Sequence, residues 1–156
     1  MNQADFEAYV SELPKVQRED NFGYAFFFVG DDHQVAFVTI GYADNEFDDV
    51  SNLNREGIFR LNIGVSKATF KQLISDAESE EEIDYSVLNV FLPHPHYARQ
   101  NYICILNPVG KNVALTKQLI EEAHSIAAAR FQRKAKKLHW TQDETSRDRL
   151  VCWRWV

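Results

Sequence analysis

Cysteine is nearly absent from this chain. Cys104 and Cys152 are its two, and they form neither a Cys-x-x-Cys pair nor the Cys/His spacing of a zinc site. That excludes a disulfide framework, and both thiols, set in apolar stretches, read as buried and inert. No Asn-x-Ser/Thr sequon occurs. No apolar run approaches the ~20 residues needed to cross a bilayer; the longest, Tyr24 to Val29, is strand-sized. The opening residues, Met1 to Glu7, lack the basic and apolar regions of a signal peptide, so a cytoplasmic location without membrane contact is expected. There is no internal repeat, no Gly-x-Ser-x-Gly and no glycine-rich phosphate loop, and neither cysteine has a basic neighbour in sequence. The common signatures of nucleophilic and nucleotide chemistry are therefore missing, and no cofactor is implied.

What the chain does have is core material. Its 156 residues are 45% hydrophobic and 13% aromatic, with 17 Lys plus Arg against 23 Asp plus Glu for a formal net charge of −6. A chain of this length buries roughly 68–70% of its unfolded surface, enough for one domain without staples. Residues 1–140 read as that domain and 141–156 as a C-terminal tail.

Periodicity supplies the elements. Phe6, Tyr9, Val10 and Leu13 recur at helical spacing over residues 4–13, and Pro14 stops the helix. After a polar stretch, Phe22 to Val29 and Val35 to Ile40 read as two strands of a hairpin closed at Gly30 to His33. Residues 43–56, crowded with Asp44, Glu46, Asp48 and Asp49, read as a loop with few apolar anchors. From Ile58 to Val65, Phe59, Leu61, Ile63 and Val65 alternate with Ile58, Arg60, Asn62 and Gly64, which predicts a strand with one dry face. Ser66 caps a helix carrying Phe70, Leu73, Ile74 and Ala77, ended by the acidic run from Glu78 to Asp84. Tyr85 to Leu92 is ambiguous, and Pro93-His94-Pro95 continues neither helix nor strand. Gln100 to Asn107 reads as an apolar, central strand. A long helix follows from Val113 to about Leu138, with Glu121 and Glu122 early and Arg130, Arg133, Lys134, Lys136 and Lys137 late, matching the helix dipole. A polar stretch from Thr141 to Arg149 then leads to an apolar end bearing Trp153 and Trp155, expected to form an added strand or docked arm. The order points to an α+β fold with an antiparallel or mixed sheet of about four to five strands and helices mainly on one face.

Several of these pieces carry a resemblance. Val38-Thr39-Ile40 with the acidic loop, Ser51 to Arg55, Gly57 to Val65 with its Phe-Arg-Leu-Asn core, Pro93-His94-Pro95 with Tyr97-Ala98, and Leu106-Asn107-Pro108 resemble a bacterial family of small domains of unknown function. The resemblance covers roughly Ala25 to Arg130. The chain departs from it at Tyr102, where a tryptophan is expected, and in the tail after Leu138. At the level of pattern, a His-containing turn, an apolar strand and a long terminal helix also look like the MmcQ/YjbR type of fold. The resemblance implies positions without chemistry, since fold does not fix function.

Three constellations are candidates for function. Arg60 and Asn62 lie on the non-core face of their strand, and His94, Tyr97 and Arg99 leave the Pro-rich turn before another. Converging over the sheet, they would suit a small anionic ligand or a protein partner. The plainer alternative is that Arg60 pairs with an acid of the 44–49 loop while Asn62 and His94 satisfy backbone groups. His94 and His96, two apart, are candidate metal ligands with His33 or a loop carboxylate, which would make a metal-assisted enzyme. The basic helix end with Trp140, Trp153 and Trp155 suggests nucleic acid, which the net charge of −6 opposes; if the tail instead docks on another chain, Trp153 and Trp155 become anchors of a dimer interface, so monomer and homodimer are both open.

Overall fold

The computed structural model describes residues 1–74 and 82–151, with side chains up to Trp140. Among these residues the fold is α+β: three α-helices and one six-stranded, wholly antiparallel sheet, one strand more than the sequence patterns predict at most. The strands are β1 (Val16–Asn21), β2 (Tyr24–Val29), β3 (Val38–Gly41), β4 (Arg60–Gly64), β5 (Leu92–Pro93) and β6 (Tyr102–Leu106), in spatial order β1-β2-β3-β4-β6-β5.

The first helix, α1 (Gln3–Ser11), opens on a capping box in which Asn2 accepts from the Asp5 amide and Asp5 accepts from the Asn2 amide. It buries Phe6 and Val10, one turn apart, against the sheet. The second, α2 (Lys67–Ile74), begins at Ser66, whose hydroxyl accepts from the Thr69 amide as the sequence predicts. Its expected continuation through Ala77 and the first part of the acidic run lie outside the described residues. The third, α3 (Lys111–Val151), lays Leu119, Ile120, Ala123 and Ala127 on the sheet. It runs 41 residues, well past Leu138, so the polar stretch after Thr141 continues the helix up to residue 151. The apolar end with Cys152, Trp153 and Trp155 lies outside the described residues. Among the described residues no helix is long and apolar enough to cross a membrane.

The extra strands escaped the sequence patterns for physical reasons. β1 is an exposed, polar edge strand with no apolar face to betray it; Arg18 on it pairs with Glu7 of α1 and with Asp20. The tight hairpin is thus β1–β2, turning at Phe22-Gly23, and β2–β3 is the looser one. β5 is two residues long and includes Pro93, admissible because it is an edge. β6 is next to that edge rather than central.

One sheet face carries Ala25, Phe27, Val29, Val38, Ile40, Leu61, Ile63, Ile103 and Ile105 against α1 and α3. The expected dry face of β4 is there, but its other face is dry as well: Arg60 is 0% and Asn62 2% exposed. The segment between β3 and β4 folds over that side, and Leu53 packs there with Tyr24 and Leu106. Gly41 makes this possible. It sits opposite Tyr24, and a Cβ on it would stand 2.6 Å from Tyr24 Cε1, so the tyrosine ring occupies the space a side chain would fill.

Gly41→Ala is expected to displace the Tyr24 ring and lower stability by about 1–3 kcal/mol. Urea denaturation should show that loss shrinking when Tyr24→Ala is made in the same chain, because contacting sites couple.

Candidate functional site

Arg60 opens β4 in register with Gly41 on one side and Leu106 on the other. Its guanidinium is fully buried, and all five of its N–H groups are taken. Nε donates to Asn62 Oδ1 at 3.0 Å, Nη1 to Ser51 Oγ at 2.7 Å and Asp48 Oδ1 at 3.3 Å, and Nη2 to the Tyr24 hydroxyl at 3.1 Å and to Asp48 Oδ2. Tyr24 in turn donates to Asp48 Oδ2 at 3.1 Å, and Asn62 Nδ2 donates to Thr39 Oγ1 at 2.9 Å. The acid that pairs with Arg60 therefore comes from the 44–49 loop, and it is Asp48.

Burial alone would weaken both charges. The mutual bonds reverse this: burial pushes the Asp48 carboxyl up, yet the Arg60 contact holds it below the ordinary carboxylate range, and Arg60 is raised in spite of its own burial. Burial raises the Tyr24 phenol further above its usual value. The pair fastens the loop from beneath, while other groups lock it along its length. Asp44 accepts from the Leu53 amide at 2.8 Å, and Asn54 accepts from the Asp44 amide at 3.1 Å. Arg55 donates to the carbonyls of Ser51, Asn52 and Ser86. Asn45 accepts from the Phe47 and Asp48 amides and donates to the Phe22 carbonyl at 2.9 Å. The acidic loop is thus anchored by its polar side chains and by Leu53, 1% exposed, while Glu46 and Asp49 stay exposed.

His94 shares the sheet face of Arg60 and Asn62, beyond Cys104, and is 6% exposed. Its Nδ1 accepts from the His96 and Tyr97 amides, each at 3.0 Å, which fixes the unprotonated nitrogen there and closes the turn. Burial, with Arg60 nearby, pushes its pKa down to about 3. Cys104 is fully buried and free, its thiol pushed up to about 12 by burial, so it stays protonated. Tyr97 and Arg99 stand on the exposed side of the turn, with the Tyr97 ring 5.0 Å from that of His94. The structure therefore brings Arg60, Asn62 and His94 onto one buried face and leaves Tyr97 and Arg99 outside it. Among the described residues no group of three or more His, Cys, Asp or Glu is placed to hold a metal. Two small concavities lie elsewhere, along α3.

Sequence reasoning missed the surface that this network carries. Asn21-Phe22-Gly23-Tyr24 is a two-residue hairpin turn with φ of 52° at Phe22 and 77° at Gly23. Both positive angles define the type I′ pattern, in which Asn-Gly is the favoured pair. Phe22, a bulky residue in left-handed backbone, is 59% exposed, and Phe47 at the loop tip is 68% exposed. The two rings meet edge to face, 5.9 Å apart. The available signal was the Phe-Gly pair between two strands.

A family model matches residues 1–136, from α1 to the basic part of α3. The chain belongs to the family of unknown function DUF6194. The match is wider than the 25–130 stretch that carries the resembling motifs, and it takes in the capping box, β1 and the Phe22 turn of this DUF6194 domain. No curated protein and no solved structure matches the chain.

Two substitutions test the network. Arg60→Leu strands Asp48 without its partner and should cost about 3–5 kcal/mol in urea denaturation. For His94, an unfolded imidazole takes up a proton below pH 6.5 while the folded one resists until about pH 3, so its contribution to stability is complete above 6.5 and is lost as the pH falls. Wild type should lose about 2 kcal/mol from this group between pH 7 and pH 5. His94→Asn, whose amide oxygen can accept the same two backbone N–H groups, should remove that part of the acid sensitivity.

Proposed function

We propose that this domain binds another protein, and that the docking surface is the Phe22–Phe47 pair with its acidic rim. The observation that carries the reading is the cost at which the pair is presented. An exposed Phe22 occupies left-handed backbone that asparagine or glycine would occupy more easily, and Phe47 rides on a loop bolted to the sheet through a buried ion pair. Rigid aromatic side chains lose little entropy on docking and make effective anchors. Glu46 and Asp49 beside them favour a partner segment that sets Lys or Arg next to apolar side chains.

The same geometry weighs against a small anion as the ligand of Arg60, Asn62 and His94. An anion would have to displace Asp48 from a guanidinium with no free N–H. A metal at His94 would need a ring nitrogen with a free lone pair, but two backbone amides use the lone pair of Nδ1 and so keep the ring proton on Nε2. Binding to a protein is therefore the reading we carry forward.

Phe22→Asn converts the turn to Asn-Gly. It should raise the melting temperature, by relief of about 1 kcal/mol of backbone strain, and yet weaken partner binding about tenfold or more. Affinity capture followed by titration of the captured partner, with wild type, Phe22→Asn and Phe47→Ser, checks this. Equal binding by all three proteins contradicts the proposal, as does a fall in stability for Phe22→Asn.

A further inference from the structure

The docking surface has its chemical complement on the same chain. The stretch from Glu19 to Asn54 holds no lysine or arginine, and within it Glu46 and Asp49 are exposed on the loop that carries Phe47, while Asp31 and Asp32 lie at the opposite end of β2. From Ala123 to Trp140 there are five lysines and arginines and no acid. Within that second stretch Arg133, Lys136 and Trp140 are all exposed, Trp140 at 72%, and their spacing of three and four puts them on one helix face. A cationic stripe ending in an exposed indole is the kind of segment the Phe22–Phe47 surface would take, since a cation can sit on an aromatic face while its charge meets the acidic rim.

The fold keeps the two surfaces apart within one molecule. Asn112 Nδ2, in the first turn of α3, donates to the carbonyl of Asn89, whose amide donates to the carbonyl of Leu106, and Leu106 is paired across from Arg60. The Phe22 turn lies at this same end of the strands, because Tyr24, Gly41, Arg60 and Leu106 are successive register partners. The helix then crosses the sheet and leaves it at the other end of β2, where Phe131 fills the space above Gly30 and Lys134 pairs with Asp32. Tyr24 to Val29 spans about 17–20 Å of strand, and Phe131 to Trp140 adds about 14 Å of helix beyond it. The basic arm points away from its own acidic surface.

We infer that the partner is a second copy of this chain: the arm carrying Arg133, Lys136 and Trp140 docks on the Phe22–Phe47 surface of the next molecule. This rests on the protein-binding reading above and names the partner. Because the two surfaces are different and sit at opposite ends, the contact is head-to-tail, and it propagates into a ring or an open chain of molecules rather than stopping at a pair. Much of the attraction is between exposed charges, so salt weakens it.

The test measures mass in solution by sedimentation on the full chain. Wild type should exceed the 18.1 kDa of one molecule increasingly with concentration, and revert towards it in high salt. Arg133→Glu with Lys136→Glu removes the arm, and Phe22→Asn with Phe47→Ser removes the surface; each protein alone should stay monomeric. Mixed, they retain one intact arm and one intact surface, so they should form a heterodimer and nothing larger. A monomeric wild type at all concentrations, or assembly that persists in either double variant, overturns the inference. A lysine- and tryptophan-containing peptide serves as a separate probe of the surface. If it binds wild type and fails on Phe22→Asn with Phe47→Ser while wild type stays monomeric, the inference falls and the docking surface stands. If the peptide binds both alike, the docking surface falls too.

Discussion

A guanidinium buried to the last square ångström must find an acceptor for every N–H, and the Arg60 side of this sheet is arranged to meet that demand. Leaving such a charge unpaired costs several kcal/mol, so its partners are not interchangeable decorations. Asp48 neutralises it, Ser51 and Asn62 take the remaining donors of Nη1 and Nε, and Tyr24 completes Nη2 while bonding the same carboxylate. Each partner then imposes its own requirement. Tyr24 reaches Arg60 only because Gly41 has no side chain, and Asp48 and Ser51 reach it only if the loop between β3 and β4 folds back over the sheet.

That constraint converts a polar interior into a shaped surface. A long acidic segment would ordinarily stay solvated and mobile. Here Asp44, Asn45, Asp48 and Arg55 turn its polar groups inward as hydrogen-bonding anchors, and what remains outside is Phe47, Glu46 and Asp49. The Asn45 amide ties the loop tip to the Phe22 carbonyl, which brings two aromatic rings from separate elements together. The strain at Phe22 lies in this assembly, where stability has been given up locally for a side chain that serves no core.

Much of this was legible from residue order. The alternation through β4 placed Phe59, Leu61, Ile63 and Val65 in the core and set Arg60 and Asn62 on the opposite face, and an acid of the 44–49 loop was already an open candidate for Arg60. The helix periods, the Ser66 cap and the buried Cys104 could be read likewise. What escaped depended on partners distant in sequence. β1 is a strand only because β2 lies beside it, since its own residues are polar and bury almost nothing. The opposite face of β4 is dry only because a polar loop covers it, and no periodicity announces a lid made of Asp, Asn and Ser. Tyr97 and Arg99 followed His94 in sequence but turn outward, because His94 uses its imidazole to cap the very turn that carries them. Even the net charge of −6 averages over an acidic loop and a basic helix end that the fold holds at a distance.

The most direct test of the account is amide hydrogen exchange, residue by residue, in wild type and in Asp48→Asn, which keeps the shape of the side chain and removes its charge. The buried ion pair is held to fasten the loop specifically. In the variant, the Phe47, Asp48 and Leu53 amides should exchange through a local opening that costs little, while β2, β3, β4 and β6 keep protection set by global unfolding. Unchanged protection in the loop, or protection lost equally across loop and sheet, would contradict the claim that the Arg60–Asp48 pair is what holds the surface in place.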